Sequence, residues 1–162
     1  MKSKLFGKRL LVLIVTLALS IIGCKGNEPK QSYKESAFGP VSSCEVRSNL
    51  DMVENRMGNL EGATAVNFES LKMGTGEGWL PDSTDYTVQG YVTLTDEAAE
   101  KYASSYDWDE GTPEFNLLEL RQQDIEGSWY QSPDFNKDIF TNCNSGSAWL
   151  NGNTLFFRFY VS

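Results

Sequence analysis

The chain contains no histidine among its 162 residues. That removes the usual general base and the usual zinc ligand, and it makes Ser-His-Asp and Cys-His nucleophilic arrangements impossible. No serine stands three residues before a lysine, and no Gly-x-Ser-x-Gly elbow occurs, so two further hydrolytic patterns are missing. Cations are scarce as well: 14 Lys and Arg face 22 Asp and Glu, and Lys2, Lys4, Lys8 and Arg9 are crowded into the first nine positions. The longest apolar run, Leu10 to Ile22, has 13 residues. A membrane-spanning helix needs about 20. What remains for acid-base chemistry is carboxylates. Glu110 with Glu114, or Asp107 with Asp109, are pairs of the type glycosidases use, but with 22 carboxylates in the chain a solvated surface is the commoner role. The residues therefore predict no catalytic site, no metal and no cofactor.

The first 24 residues carry the most specific signal. A basic opening, a short apolar run and the small residue Gly23 have the anatomy of a secretory signal peptide. Ile21-Ile22-Gly23-Cys24 resembles the lipobox of bacterial lipoprotein precursors. The resemblance implies cleavage after Gly23 and lipidation of Cys24, and hence a chain held at the bacterial cell envelope by its lipid. Each buried methylene is worth about 0.8 kcal/mol and one acyl chain anchors only marginally, so stable attachment takes two or more. Lys25 after the cysteine implies, in the Gram-negative families, the outer membrane with the domain facing the periplasm. The expected organisation is a signal peptide over 1–23, lipidated Cys24 with a polar flexible tether over 24–41, and one globular domain over 42–162.

Without its first 23 residues the chain has ten basic and 22 acidic side chains, a formal charge of −12. Such a field repels nucleic acid and attracts a basic protein partner, although solubility alone explains any single patch. From Asp96 to Glu126 only Lys101 and Arg121 interrupt ten acidic residues. Asp107-Trp108-Asp109-Glu110-Gly111 opens like a calcium loop, but its glycine comes one place early and no glutamate stands at the twelfth position. Besides Cys24 there are Cys44 and Cys143, and an oxidising compartment makes a disulfide between them the expectation. Closing a loop of about 100 residues is worth about 4.7 kcal/mol on the chain-entropy account. A catalytic role for either thiol lacks a basic partner.

The local pattern predicts an α+β domain. Ser42 with Glu45 three residues on has a capping-box spacing, and Val46, Leu50, Val53, Met57 and Leu60 recur as one helical face, which places a helix from Ser42 to about Gly62. Cys44 lies almost opposite that stripe, a tension with the disulfide. Ala63 to Met73 reads as a strand whose apolar phase changes between Phe68 and Leu71, as at a bulge. Gly74-Thr75-Gly76-Glu77-Gly78 reads as a plain loop, since Trp79, Leu80 and Pro81 follow where a phosphate-binding helix would start. Asp85 to Thr95 alternates as a strand with one face to water, and Thr95 caps a helix bearing Ala98, Ala99, Tyr102 and Tyr106. Phe115 to Leu120 reads as a strand, and Trp129 to Phe140 as an irregular region with one helical turn. Ser147 to Leu150 and Thr154 to Val161 form a C-terminal hairpin turning at Asn151-Gly152. The sum is an antiparallel sheet of about five strands packed by two helices. The aromatic second face of the last strand, Phe156, Arg158 and Tyr160, lies under a helix or serves as a binding surface.

These features point to a non-enzymatic protein-binding module on a membrane tether, an inhibitor or immunity protein against a basic toxin or hydrolase being the sharper form. Asp107, Trp108, Asp109 and Glu110 are the expected contact residues, because a tryptophan between aspartates is awkward to bury. The alternative is an accessory lipoprotein of an envelope or secretion assembly.

Overall fold

A computed structural model describes residues 33–58, 60–75 and 84–162. The expected signal peptide, Cys24, most of the expected tether and the end of the glycine-rich loop lie outside the described residues. Among the described residues, eight strands where about five were expected and three short helices where two were expected follow in the order β1 (Lys34–Ser36), β2 (Gly39–Arg47), α1 (Leu50–Glu54), β3 (Ala63–Met73), β4 (Tyr86–Leu94), α2 (Asp96–Ser105), β5 (Asp109–Glu110), β6 (Tyr130–Gln131), α3 (Pro133–Ile139), β7 (Ser145–Asn151) and β8 (Thr154–Val161). All eight strands form one open sheet, ordered β1-β2-β3-β4-β8-β7-β6-β5, with antiparallel neighbours throughout. The chain runs as a meander from one edge to β4 at the centre. It then crosses through α2 to the far edge and returns as a second meander ending in β8 beside β4.

One sheet face carries the main core. Val66 and Phe68 of β3, Val88 and Val92 of β4, and Leu155, Phe157 and Phe159 of β8 meet Val53 of α1, Ala98 and Tyr102 of α2, and Phe135 of α3. Thr95 caps α2 as expected, its side chain accepting from the Ala98 N–H. Ser132 does the same for α3, with Pro133 at its start, where a missing N–H costs nothing. The C-terminal hairpin forms one place later than expected: Asn151 pairs with Thr154, and Gly152 at φ +56° opens a turn of the type II′ pattern.

Four expectations fail for tertiary reasons. The helix from Ser42 is strand β2 instead, paired from Arg47 opposite Phe68 to Cys44 opposite Leu71. A ladder of cross-strand hydrogen bonds outweighs the local capping-box signal, and only Leu50–Glu54 turns helical, burying Val53. The tether ends early too, since Lys34–Ser36 and Gly39 onward form the β1–β2 hairpin. Phe115 to Leu120 adds no strand. Against β4 the register of β3 is continuous from Ala65 to Lys72 and shifts only between Ala63 and Ala65, and against β2 it shifts only between Val41 and Ser43, both away from the phase change. The phase change there reflects burial of both faces, Phe68 on the helix side and Leu71 on the other.

Cys44 and Cys143 are free. Cys44 sits on β2 and Cys143 just before β7, with β3, β4 and β8 between them. At about 4.8 Å per strand that is about 19 Å, far beyond the roughly 7 Å limit for a disulfide. They also face opposite ways: Cys143 packs against the helix-side core, whereas the Cys44 thiol lies 3.8 Å from the Glu69 carboxylate on the other face.

Candidate partner-binding surface

The second sheet face is covered by the β5–β6 connection, residues 111–129, which has no helix or strand of its own. This strap packs Phe115, Leu117, Leu120 and Ile125 onto Tyr91, Trp129 and Phe156. The Phe115 ring sits 4.9 Å from Phe156 and 5.6 Å from Trp129, edge to face. The expected wet face of β4 is therefore dry, with Thr87, Gln89 and Tyr91 all buried.

A segment laid over a sheet face must still pair its backbone groups. Here buried side chains of the sheet do so. Glu69, wholly buried on β3, accepts from the Leu118 N–H and from Gln89 Nε2 on Oε1, and from the Glu119 and Leu120 N–H groups on Oε2, at 2.7 to 2.8 Å. Three successive amides facing one carboxylate make a nest of the kind that binds anions. Glu69, Gln89 and Arg158 are direct cross-strand neighbours on β3, β4 and β8. Gln89 also donates to the Asn116 carbonyl at 2.7 Å, and Arg158 donates to Gln89 Oε1 and to the Glu114 carbonyl. Farther along, the Gln123 N–H donates to the Tyr91 hydroxyl and Asn151 Nδ2 to the Glu126 carbonyl. The Arg158 guanidinium lies 4.6 Å from the Phe38 ring centre, tying the β1–β2 hairpin to the same row.

With its backbone held from beneath, the strap turns carboxylates outward. Glu114, Glu119, Asp124 and Glu126 are exposed beside Arg121, and Asp107, Asp109 and Glu110 are exposed at the sheet edge. Glu119 pairs with Lys34, and Glu110 accepts from the Ser128 hydroxyl at 2.8 Å. Trp108 departs from its expected role. Its ring packs 5.1 Å from Phe135, its Nε1 donates to the Tyr102 carbonyl at 3.1 Å, and it joins the helix-side core half-buried. The tryptophan reaches inward while its aspartate neighbours stay in water, so only Asp107, Asp109 and Glu110 of the expected contact set present themselves to a partner.

Sequence reasoning missed Glu69, Gln89 and Arg158. Their signal is a long polar residue near the middle of β3 and β4 and within β8, on the parity opposite the helix-facing residues. The chemistry of this row is that of a clamp. Burial, and next the Glu69 and Glu119 carboxylates, push the Cys44 thiol up to about 12, the reverse of what a thiolate nucleophile needs. Burial likewise raises the Tyr91 phenol and lowers Arg158. Among the described residues no group of three or more Asp, Glu, Cys or His gathers as metal ligands, Asp107 and Asp109 included. No family model, curated protein or solved structure matches the chain.

Proposed function

We propose that the chain is a lipid-anchored, non-enzymatic binding domain of the bacterial envelope that captures a basic protein, in its sharper form as an inhibitor or immunity protein against a cationic toxin or wall hydrolase. The observation that carries this reading is the strap, a long irregular segment fixed by a buried carboxylate, with its own carboxylates in water. Long connections without regular structure on a rigid scaffold are commonly binding elements. A fixed backbone avoids the ordering cost that a mobile acidic loop meets on association. The accessory-lipoprotein alternative draws on the aromatic face of β8 as its contact, and Phe156 on that face is buried under the strap.

The test compares two forms of the full chain, tagged after Ser162 and extracted in mild detergent: the unaltered protein and Asp107→Asn/Asp109→Asn/Asp124→Asn/Glu126→Gln. Capture of one basic protein that elutes at moderate salt from the first and is absent from the second supports the reading. A salt-resistant set of envelope proteins retained equally by both overturns it. Fractionation of Cys24→Ala tests the anchor, which predicts loss from the membrane fraction.

A further inference from the structure

A second site lies on the opposite sheet face. The short α1 leaves part of that face open, and a pocket of about 290 Å³ remains between the end of β2, α1, β3, β4 and β8, with no residue of α2 or α3 lining it. Its floor is apolar and firmly held: Phe68, Val88 and Phe159 are buried core side chains. Its walls carry two guanidiniums, Arg47 and Arg56. Arg47 is already committed, pairing with Glu45 and donating to the Met52 sulfur at 3.3 Å. Arg56 donates through one Nη to the Asn142 carbonyl at 3.1 Å, which holds it in place, and has no carboxylate partner among the described residues.

We infer that this pocket binds a small amphipathic anion, a monocarboxylate with a short apolar tail, the carboxylate on Arg56 and the tail over Phe68, Val88 and Phe159. An apolar pocket with a few convergent polar groups is the usual form of a small-molecule site. A guanidinium offers paired N–H donors matched to a carboxylate. At about 290 Å³ the pocket stands at the small end of ligand sites, which suits a short tail. On a domain so rich in carboxylates, an arginine without an acidic partner above an apolar floor selects against cations and neutral polar molecules. This site is independent of the strap and of the partner proposed for it.

Octanoate is the probe, titrated into the full chain and followed by calorimetry and by backbone amide shifts. Octan-1-ol and acetate serve as tail-only and head-only comparisons, and Arg56→Gln and Ser70→Phe as variants. Ser70 lines the pocket from β3 and carries neither arginine's charge. Octanoate should saturate with a Kd of about 0.1 to 1 mM, given ordinary ligand efficiencies. Octan-1-ol and acetate should each bind at least about tenfold more weakly. Arg56→Gln should cost at least about tenfold for octanoate and leave octan-1-ol unchanged, while Ser70→Phe, which fills the pocket, should abolish binding of both. Amide shifts should centre on Phe68, Val88 and Phe159. Equal affinity for octanoate and octan-1-ol, shifts centred on the strap, undiminished binding by Ser70→Phe, or no saturation in the millimolar range would each overturn the inference.

Discussion

Replacing Glu69 by glutamine keeps the shape of the side chain and removes half of what it does. Oε1 accepts from Gln89 and Leu118, and Oε2 from Glu119 and Leu120. Whichever way the amide is turned, its NH2 group faces two N–H donors and can accept from neither. Two charge-assisted hydrogen bonds are lost, at about 1.5 to 3 kcal/mol each, so the cost is about 3 to 6 kcal/mol. For a domain of this size, total stability is about 5 to 15 kcal/mol.

Two measurements separate the routes by which that cost is met. Urea unfolding followed by circular dichroism gives the global change, and amide hydrogen exchange reads Leu118, Glu119 and Leu120 directly. If the strap lifts alone, those three amides lose protection, Trp129 fluorescence shifts to the red, and the unfolding midpoint moves less than the full cost. If the strap and sheet unfold together, the midpoint carries all of it. A change below about 1 kcal/mol with the three amides still protected would refute the clamp, because it would mean that the packing of Phe115 and Leu120 is enough to hold the strap.

Other consequences follow from the core and the cysteines. Alkylation of the chain unfolded without reductant should modify both Cys44 and Cys143, and a Cys44–Cys143 linked peptide would contradict their separation. In the folded state at pH 8, Cys44 should react on the order of ten to a hundred times more slowly than an ordinary thiol, since its higher nucleophilicity only partly offsets its lower thiolate fraction. Because the folded thiol is raised from 9.0 to about 12, Cys44 favours the folded state fully below pH 9 and loses that contribution as pH rises toward 12. The difference in stability between wild type and Cys44→Ala should therefore shift across that window and stay flat below it. Gly90→Ala should destabilise by about 1 to 3 kcal/mol in thermal or urea unfolding. A Cβ there would stand 2.2 Å from the Asn67 carbonyl oxygen and 2.5 Å from Phe68 Cα, backbone atoms at the centre of the sheet.

The elements legible in the sequence are those whose signal is local. β4 shows alternation, α2 has the Thr95 cap followed by two acids, and the final hairpin has an asparagine-glycine pair at its turn. Each depends on neighbours in the chain, and each forms, with the turn displaced by one residue. β2 carried an equally good local signal for the wrong structure, because Ser42 and Glu45 can cap a helix only if β3 is not available to pair. The strap was invisible for a related reason. Its backbone is satisfied by side chains 27 to 51 positions earlier or 25 to 44 later, so residues 115–120 show apolar character with no partner strand to explain it. The exposed carboxylates were legible as a run of charge. Trp108 was misjudged because flanking aspartates constrain the backbone and leave the ring free to turn inward. The Arg47 and Arg56 pocket left no local trace, since its lining comes from five separate elements.

On the proposed binding function, placing one carboxylate beneath the strap and several on top of it divides affinity for a basic partner into two separable parts. The outer acids act at long range and raise the rate of encounter with a basic partner, an effect that salt screens. Glu69 contributes nothing to that field that a partner could touch, because the strap backbone surrounds it. It acts by keeping the outer acids in one arrangement, which lowers the ordering cost of the bound complex. The proposed binding function then predicts opposite kinetic signatures. Asp124→Asn with Glu126→Gln should slow association and flatten its salt dependence, with dissociation changed less. Glu69→Gln should leave the salt dependence of association intact and speed dissociation by at least about tenfold, the factor that 1.4 kcal/mol of lost preorganisation represents. Surface-resonance kinetics with the captured partner at two ionic strengths distinguish them. If Glu69→Gln slowed association and left dissociation untouched, the strap would be acting only as a carrier of charge, and its fixed shape would have no part in recognition.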